Sequence, residues 1–428
     1  MATGLPGLAE RAPRRRRRRR GAPSPPGRAE VRPPAGDPRA PGRRRRLGAR
    51  VTAPPTAAQR KANRERRIQG LVAGRPLLGP HTVHFDIANA CNTRCTTCWH
   101  HSPHLAPEHR PSAAWRRQRL PLSAFAAMLD DLVALGGLEQ IILSGMGDPT
   151  LNPELPEMVE RAHGRGIGVT IITNLLRADL PRLLASPGEL QLLASICGVT
   201  PGSWRAFHAH PRPGGFARLR EQLRILRTRG VRPKHVQVIN RDNFHELVEM
   251  VRFAADWPAA RVSFKLASLS RGTEAVALTR EDKVRLASEL VPAAVAEAAR
   301  LGVPTDLAAF ARQIDPDSHK TAPIEEIGCF MGYVYARVTV AQELLYCCNT
   351  RLSLGHVAAQ TPISALWESP RYAGLRASLR RGVYFEGCDQ CGKLKQNVKW
   401  SERLEAKLPE AIRERMAPWR GPRPTRSR

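Results

Sequence analysis

The nine cysteines of this 428-residue chain fall into two tight groups and one singleton. In the first group, FDIANACNTRCTTCWHHSP, Cys91, Cys95 and Cys98 make a CxxxCxxC pattern. Three thiolates at that spacing can hold three corners of a four-iron cluster and leave the fourth iron open to a ligand. Zinc is the rival, with His100 or His101 completing a Cys3His site, but zinc sites favour paired CxxC units, so iron–sulfur is the preferred reading. The second group, Cys329, Cys347, Cys348, Cys388 and Cys391, offers four thiolates with one to spare. That is a full set for a closed second cluster or for a zinc ribbon. Cys197 stands alone and suits a small buried apolar role. Odd, clustered cysteines argue against a disulfide framework and for a reducing compartment, so a cytoplasmic protein is expected.

Weaker signals lie near the first group. His100, His101, His104 and His109 could supply an acid or base, although loop histidines are solvated by default. The stretch SGMGDP, residues 144–149, has glycines at 145 and 147 that let backbone carbonyls approach a ligand. Asn174 and Ser195 end later β-rich runs, where such residues cap a helix about as often as they bind anything.

These residues need a frame. Short β-rich runs at 83–88, 140–144, 168–173, 190–196, 235–239 and 261–266 alternate with amphipathic helical patterns at 121–135, 154–164, 216–229 and 243–256. Repeated β-then-α order predicts a parallel sheet with crossover helices, either a partial barrel or an open doubly wound sheet. After Arg271 the pattern turns helical over 279–300. A cysteine-bearing segment with strand-like 333–340 and 343–347 follows and predicts a second, smaller domain.

Both ends are basic. Residues 1–67 hold 21 Lys plus Arg against 4 Asp plus Glu, which is 17 of the formal +30. Their runs, Arg14 to Arg20 and Arg43 to Arg46, lie among Pro, Gly and Ala and cannot build a core, so a disordered extension over 1–67 is expected. An arm for nucleic acid is the alternative. Residues 418–428 predict a basic, frayed tail. No signal peptide or spanning segment is seen, and no membrane association is expected.

The CxxxCxxC followed by Trp99, with SGMGDP after the next β-run, resembles the signature of the radical S-adenosylmethionine (radical SAM) superfamily from about residue 80 to 395. The resemblance settles the fold as α/β, a partial (β/α)6 barrel over 78–270. A helical connection over 271–325, a small α+β auxiliary-cluster domain over 326–400 and a helix with a basic tail over 401–428 follow. It implies a 4Fe-4S cluster on Cys91, Cys95 and Cys98. It also implies S-adenosyl-L-methionine bound near Trp99, Gly145, Gly147, Asp148, Asn174 and Ser195. Asp148 replaces the family's usual Glu. The chemistry implied is reductive cleavage to a 5′-deoxyadenosyl radical that takes hydrogen from an unactivated C–H bond.

The segment from Glu343 to Cys391 resembles the SPASM/Twitch auxiliary domain, with Trp367, a helix around Arg371 to Arg381 and a closing CxxC. Cys329, Cys347, Cys388 and Cys391 are the implied ligands of a second 4Fe-4S cluster, Cys347 being preferred over Cys348. The usual Asp-Gly hairpin is Ala341-Gln342 here, and no cysteine follows Cys391, which points to the one-cluster Twitch form. The substrate expected is a small polar natural product or a peptide residue, with flavodoxin or ferredoxin as electron donor. The alternatives are a radical SAM enzyme acting on RNA and a non-enzymatic metal-stabilised RNA-binding module.

Overall fold

A computed structural model describes residues 54–209, 213–348 and 352–410. The arginine runs and the 418–428 tail lie outside the described residues. Nine strands form a single sheet: β1 Thr82–Asp86, β2 Gln140–Ser144, β3 Gly168–Thr173, β4 Leu190–Ser195, β5 Lys234–Ile239, β6 Arg261–Leu266, β7 Tyr335–Val338, β8 Glu343–Leu345 and β9 Ser353–His356. Their order is β6-β5-β4-β3-β2-β1-β7-β8-β9. Every pair from β6 to β7 is parallel, and β7-β8 and β8-β9 are antiparallel. The expected six β-runs are all present, and the strand-like segment at 333–340 extends the same sheet by pairing with β1.

Strand alternation sorts the side chains. Val83 and Phe85, Ile141 and Leu143, and Val169 and Ile171 go to one core with the helices, while Val262, Phe264 and Leu266 go to a second. Among the described residues the α-helices of nine residues or more are α1 Ala57–Ala73, α2 Leu122–Leu135, α3 Leu155–His163, α4 Gly215–Thr228, α5 Leu247–Asp256, α6 Val291–Leu301, α7 Pro370–Arg380 and α8 Leu394–Lys407. Register carries the opposite, inner face from strand to strand: Asp86 opposite Ser144, Ser195 opposite Val236, Val238 opposite Lys265, and His84 opposite Arg337.

The first boundary needs correction. The extension expected over 1–67 overlaps α1, which starts at Ala57 behind a capping box of Thr56 and Gln59. Charge concealed the helix, because its buried residues Arg67, Ile68, Gly70 and Leu71 include an arginine. Arg67 is buried against Glu139 at 2.9 Å, and Asn63 also donates to that carboxylate. Arg380 of α7 closes the other end by donating to the carbonyls of Leu71 and Val72. A chain starting at residue 68 removes both donors and leaves the buried Glu139 carboxylate with His81, 3.6 Å away, as its remaining partner. It is expected to lose about 3–5 kcal/mol of stability relative to one starting at residue 54, read as a difference in denaturant midpoint.

His235 of β5 is fully buried against Phe253, with no hydrogen-bond partner at either ring nitrogen, and burial holds its pKa at about 4. In the unfolded chain the imidazole takes a proton at about 6.5. Stability from this residue is therefore complete above about pH 6.5 and falls as the pH drops toward 4, by roughly 3 kcal/mol. His235→Leu is expected to shrink the loss of urea stability between about pH 7.5 and about pH 5.

The seam between β6 and β7, the two ends of the parallel run, is spanned by residues 388–395. Ser268, just beyond β6, donates to the Gln390 carbonyl, and the Gln390 amide donates to Leu269. Lys395 donates to the Phe264 carbonyl of β6 at 2.7 Å. On the other side Lys393 places its ammonium 4.2 Å from the ring centre of Tyr335 of β7. No helix among the described residues is long and apolar enough to cross a membrane.

Candidate functional site

The first cysteine group sits in the loop leaving β1, threaded between two other segments. Gly147 and Asp148 donate backbone N–H to the carbonyls of Ala88 and Ala90 on one side. On the other, Arg94 and Thr96 donate to His208 and Phe207. The glycines of SGMGDP serve this threading. A Cβ on Gly145 would lie 2.1 Å from the Ala88 oxygen, and one on Gly147 would lie 1.9 Å from the Ala90 oxygen. The close approach they permit is that of the cysteine loop itself, where the sequence suggested a ligand.

Within the loop the Thr93 hydroxyl lies 3.4 Å from Cys91 Sγ and 3.5 Å from Cys95 Sγ. The backbone N–H groups of His100 and His101 interact with Cys98, and Nδ1 of the fully buried His208 lies 3.2 Å from Cys95 Sγ. Burial, aided by Asp148, pushes the Cys91 thiol up to about 12, and burial raises Cys95 and Cys98 as well. None of the three is activated as a nucleophile. Thiols of this kind become thiolates when a metal displaces the proton.

The other expected site residues divide. Asp148 is buried and accepts from the Thr150 hydroxyl at 2.6 Å, the Thr173 hydroxyl at 3.0 Å and the Asn174 backbone N–H at 2.9 Å. Its carboxylate thus ties β2 to β3 beneath the cysteine loop. Asn174 donates to Asn92 Oδ1 at 2.8 Å, which holds the same loop. The Trp99 indole donates to the Ser268 carbonyl at 2.7 Å, and Arg271 donates to the Trp99 carbonyl, so the loop is anchored to the end of β6. Ser195 lies half-buried at the end of β4 on the inner face. His100 stacks on Trp115 with ring centres 5.1 Å apart, and His101 bonds the Asn89 carbonyl. His104 and His109 are exposed. Cys197 is buried at φ 54, its sulfur accepting from the Val238 N–H and its pKa pushed up to about 12 by burial.

The second group builds a cavity. Cys329, Cys347, Cys388 and Cys391 line a small apolar pocket walled by Ile324, Tyr346, Leu379 and Phe385. The buried Tyr346 hydroxyl, which lies against Gly332, has no hydrogen-bond partner. Four soft ligands in an apolar shell are the donor chemistry of an iron–sulfur cluster. Cys348 is not in that lining. Its sulfur is 3.9 Å from Cys347, and Cys347, Lys393, Arg337 and Lys265 together draw its pKa down.

Between the two groups runs a buried network that the sequence did not reveal. Arg337 of β7 grips Asp86 of β1 with two hydrogen bonds of 2.9 Å, and also donates to the Cys348 carbonyl and to Met146 Sδ. Burial alone would raise the Asp86 pKa, but Arg337 overrides it and holds it at about 2. His84 completes the network through Tyr335 at 3.1 Å. Nothing in the local sequence around Asp86 or Arg337 marks them, because they meet only through β1-β7 pairing.

A sequence profile of the radical SAM superfamily matches residues 86–254. Residues 86–254 are a radical SAM domain. Such a domain binds S-adenosylmethionine and a 4Fe-4S cluster, and the Cys91, Cys95 and Cys98 loop lies inside the matched span. The chain is 29% identical over 186 residues to the PqqA peptide cyclase of Ruegeria pomeroyi; the alignment covers 43% of this chain and 46% of that relative, less than half the length of either. Among solved structures, the radical SAM fold here is similar to Streptococcus suis SuiB bound to S-adenosylmethionine, with a TM-score of 0.56 and 17% identity over 78% of this chain and 76% of SuiB. It is also similar to anSMEcpe with bound AdoMet, with a TM-score of 0.54 and 12% identity over 79% of this chain and 98% of that one. At these identities the likeness is one of fold, and it extends past the radical SAM domain into the C-terminal region.

Proposed function

We propose that this chain is a radical SAM enzyme that oxidises or cross-links a residue of a peptide, using a second 4Fe-4S cluster held by Cys329, Cys347, Cys388 and Cys391. The observation that carries the reading is the placement of two separate thiol sets on one barrel. One lies in the loop leaving β1; the other joins Cys388 and Cys391 on the segment that spans the β6-β7 seam with Cys329, before β7, and Cys347, after β8. When bound, the first cluster and S-adenosylmethionine supply a 5′-deoxyadenosyl radical for hydrogen abstraction.

The chain's own residues hold the reaction in place. Thr93 and the His100 and His101 N–H groups are placed to hydrogen-bond the thiolates of the first set, which orients them. Asp148 and Asn174 act as positioning residues that fix the cysteine loop, while Trp99 and Ser195 border the interior where the cofactor's adenosine and methionine parts would lie. Cys347 faces the second cavity and is its fourth ligand; Cys348 is left over. Full ligation by four cysteines suits electron transfer, since no iron is left open.

A peptide substrate is favoured because two of the similar proteins are named for peptides, the PqqA peptide cyclase and SuiB in complex with the precursor peptide SuiA. An external one-electron donor of the flavodoxin or ferredoxin class completes the scheme. The RNA readings rest chiefly on the charge of residues 1–67, most of which lie outside the described residues. The test is anaerobic incubation of the reconstituted protein with S-adenosylmethionine, a reductant and the short peptides encoded beside its gene. A change in peptide mass together with 5′-deoxyadenosine is expected. Formation of 5′-deoxyadenosine with every such peptide unchanged would overturn the peptide assignment, and absence of both would overturn the enzyme class.

A further inference from the structure

We propose that the barrel interior contains a carboxylate-binding site, formed by Lys265 and Lys393, which seats an acidic group of the substrate. The inference rests on the enzyme reading above and narrows it to peptides bearing a carboxylate near the reacting residue.

Four cations meet around the seam, and two of them are already matched. Arg337 is paired with Asp86, and Lys395 is paired with Asp306. Lys393 and Lys265 form no ion pair with a carboxylate among the described residues. Lys393 is only 8% exposed, and its ammonium rests over the Tyr335 ring. Cation–π contact offsets a fraction of its lost hydration, and a buried ammonium without a counter-charge is costly. Lys265 stands on the inner face of β6, opposite Val238, with an exposed side chain. Lys395, two residues past Lys393, donates to the carbonyl of Phe264, the residue before Lys265, so the segment that carries Lys393 from Tyr335 of β7 runs alongside the strand that bears Lys265. One lysine is buried and fixed while the other is open to solvent. An anion entering the interior would be met by both, and its own charge would relieve their repulsion. A carboxylate is the anion that a peptide carries.

Three deuterated probes separate the sources of that carboxylate. N-acetylglutamate α-amide has only the side-chain acid, N-acetylglutamine only the terminal acid, and N-acetylglutamine α-amide neither. Saturation-transfer NMR on the anaerobically reconstituted protein reads binding, and deuterium per 5′-deoxyadenosine formed reads seating beside the radical. One acid is expected to exceed the neutral probe by roughly tenfold in both, the scale of one charge-assisted hydrogen bond. The excess identifies a side-chain or a terminal carboxylate. Lys265→Met should bring the ratio toward one, and Lys265→Arg should keep it.

Equal behaviour of acid and neutral probes would overturn the proposal. That is the result if the lysines only offset the charge of the second cysteine set, or hold the carboxylate of S-adenosylmethionine itself. Should Lys393→Met fail to fold, the wild-type comparison and the exposed Lys265 still decide. If no 5′-deoxyadenosine forms, the enzyme reading fails, while the NMR ratio continues to judge the site.

Discussion

Replacing Cys91, Cys95 or Cys98 by Ala is expected to drop reductive cleavage of S-adenosylmethionine below about one hundredth of the wild-type rate, since changes behind a metal ligand alone cost 10–100-fold. Each thiol is one of three, and losing one removes or distorts the cluster that has an open iron. No nearby sulfur can take its place. Cys197 is held behind the loop by the Val238 N–H, in a left-handed backbone conformation. The measurement is 5′-deoxyadenosine released under dithionite. A variant that retains cleavage near the wild-type rate would refute the assignment of the catalytic cluster.

Counting iron is expected to give the second large effect. The reconstituted chain should hold roughly eight irons, and the triple Ala variant at 91, 95 and 98 should keep roughly four. Replacing Cys388 and Cys391 together should remove the other four and abolish peptide turnover, while some cofactor cleavage persists, because the two thiol sets lie on different segments. Between neighbours, Cys347→Ala should cost the triple variant more iron than Cys348→Ala. Cys347 lines the cavity and Cys348 does not, although their sulfurs lie 3.9 Å apart. Zinc in place of iron after metal-free purification and iron loading would favour the ribbon reading.

What could be read in advance divides by sequence distance. The strands 140–144, 168–173 and 261–266 have the residue ranges that their apolar alternation predicts, because β-propensity and period are local. The cysteine groups were legible for the same reason, since their spacing lies within a few residues. The α1 helix was hidden because the charged residues around Arg67 read as solvated, and only Glu139, 72 positions away, makes one of them a core residue. Gly145 and Gly147 were noticed but assigned to a ligand, since the carbonyls they accommodate belong to a loop more than 50 residues earlier. Nothing in the local sequence singles out Lys265 or Lys393. Their shared location depends on the closure of the seam.

The pairing of β7 with β1 also orders events during synthesis. Asp86 and Arg337 are 251 positions apart, so the carboxylate at the end of β1 emerges from the ribosome long before its partner. Until then one edge of β1 has no neighbour and the Asp86 carboxylate has no counter-charge, which are conditions that favour aggregation and delay tight packing. A nascent chain halted before residue 335 would already contain Cys91, Cys95 and Cys98 but would lack the strand that flanks their loop. A chain halted there also lacks Arg337, so the Asp86 carboxylate, five residues before Cys91, stays without its counter-charge.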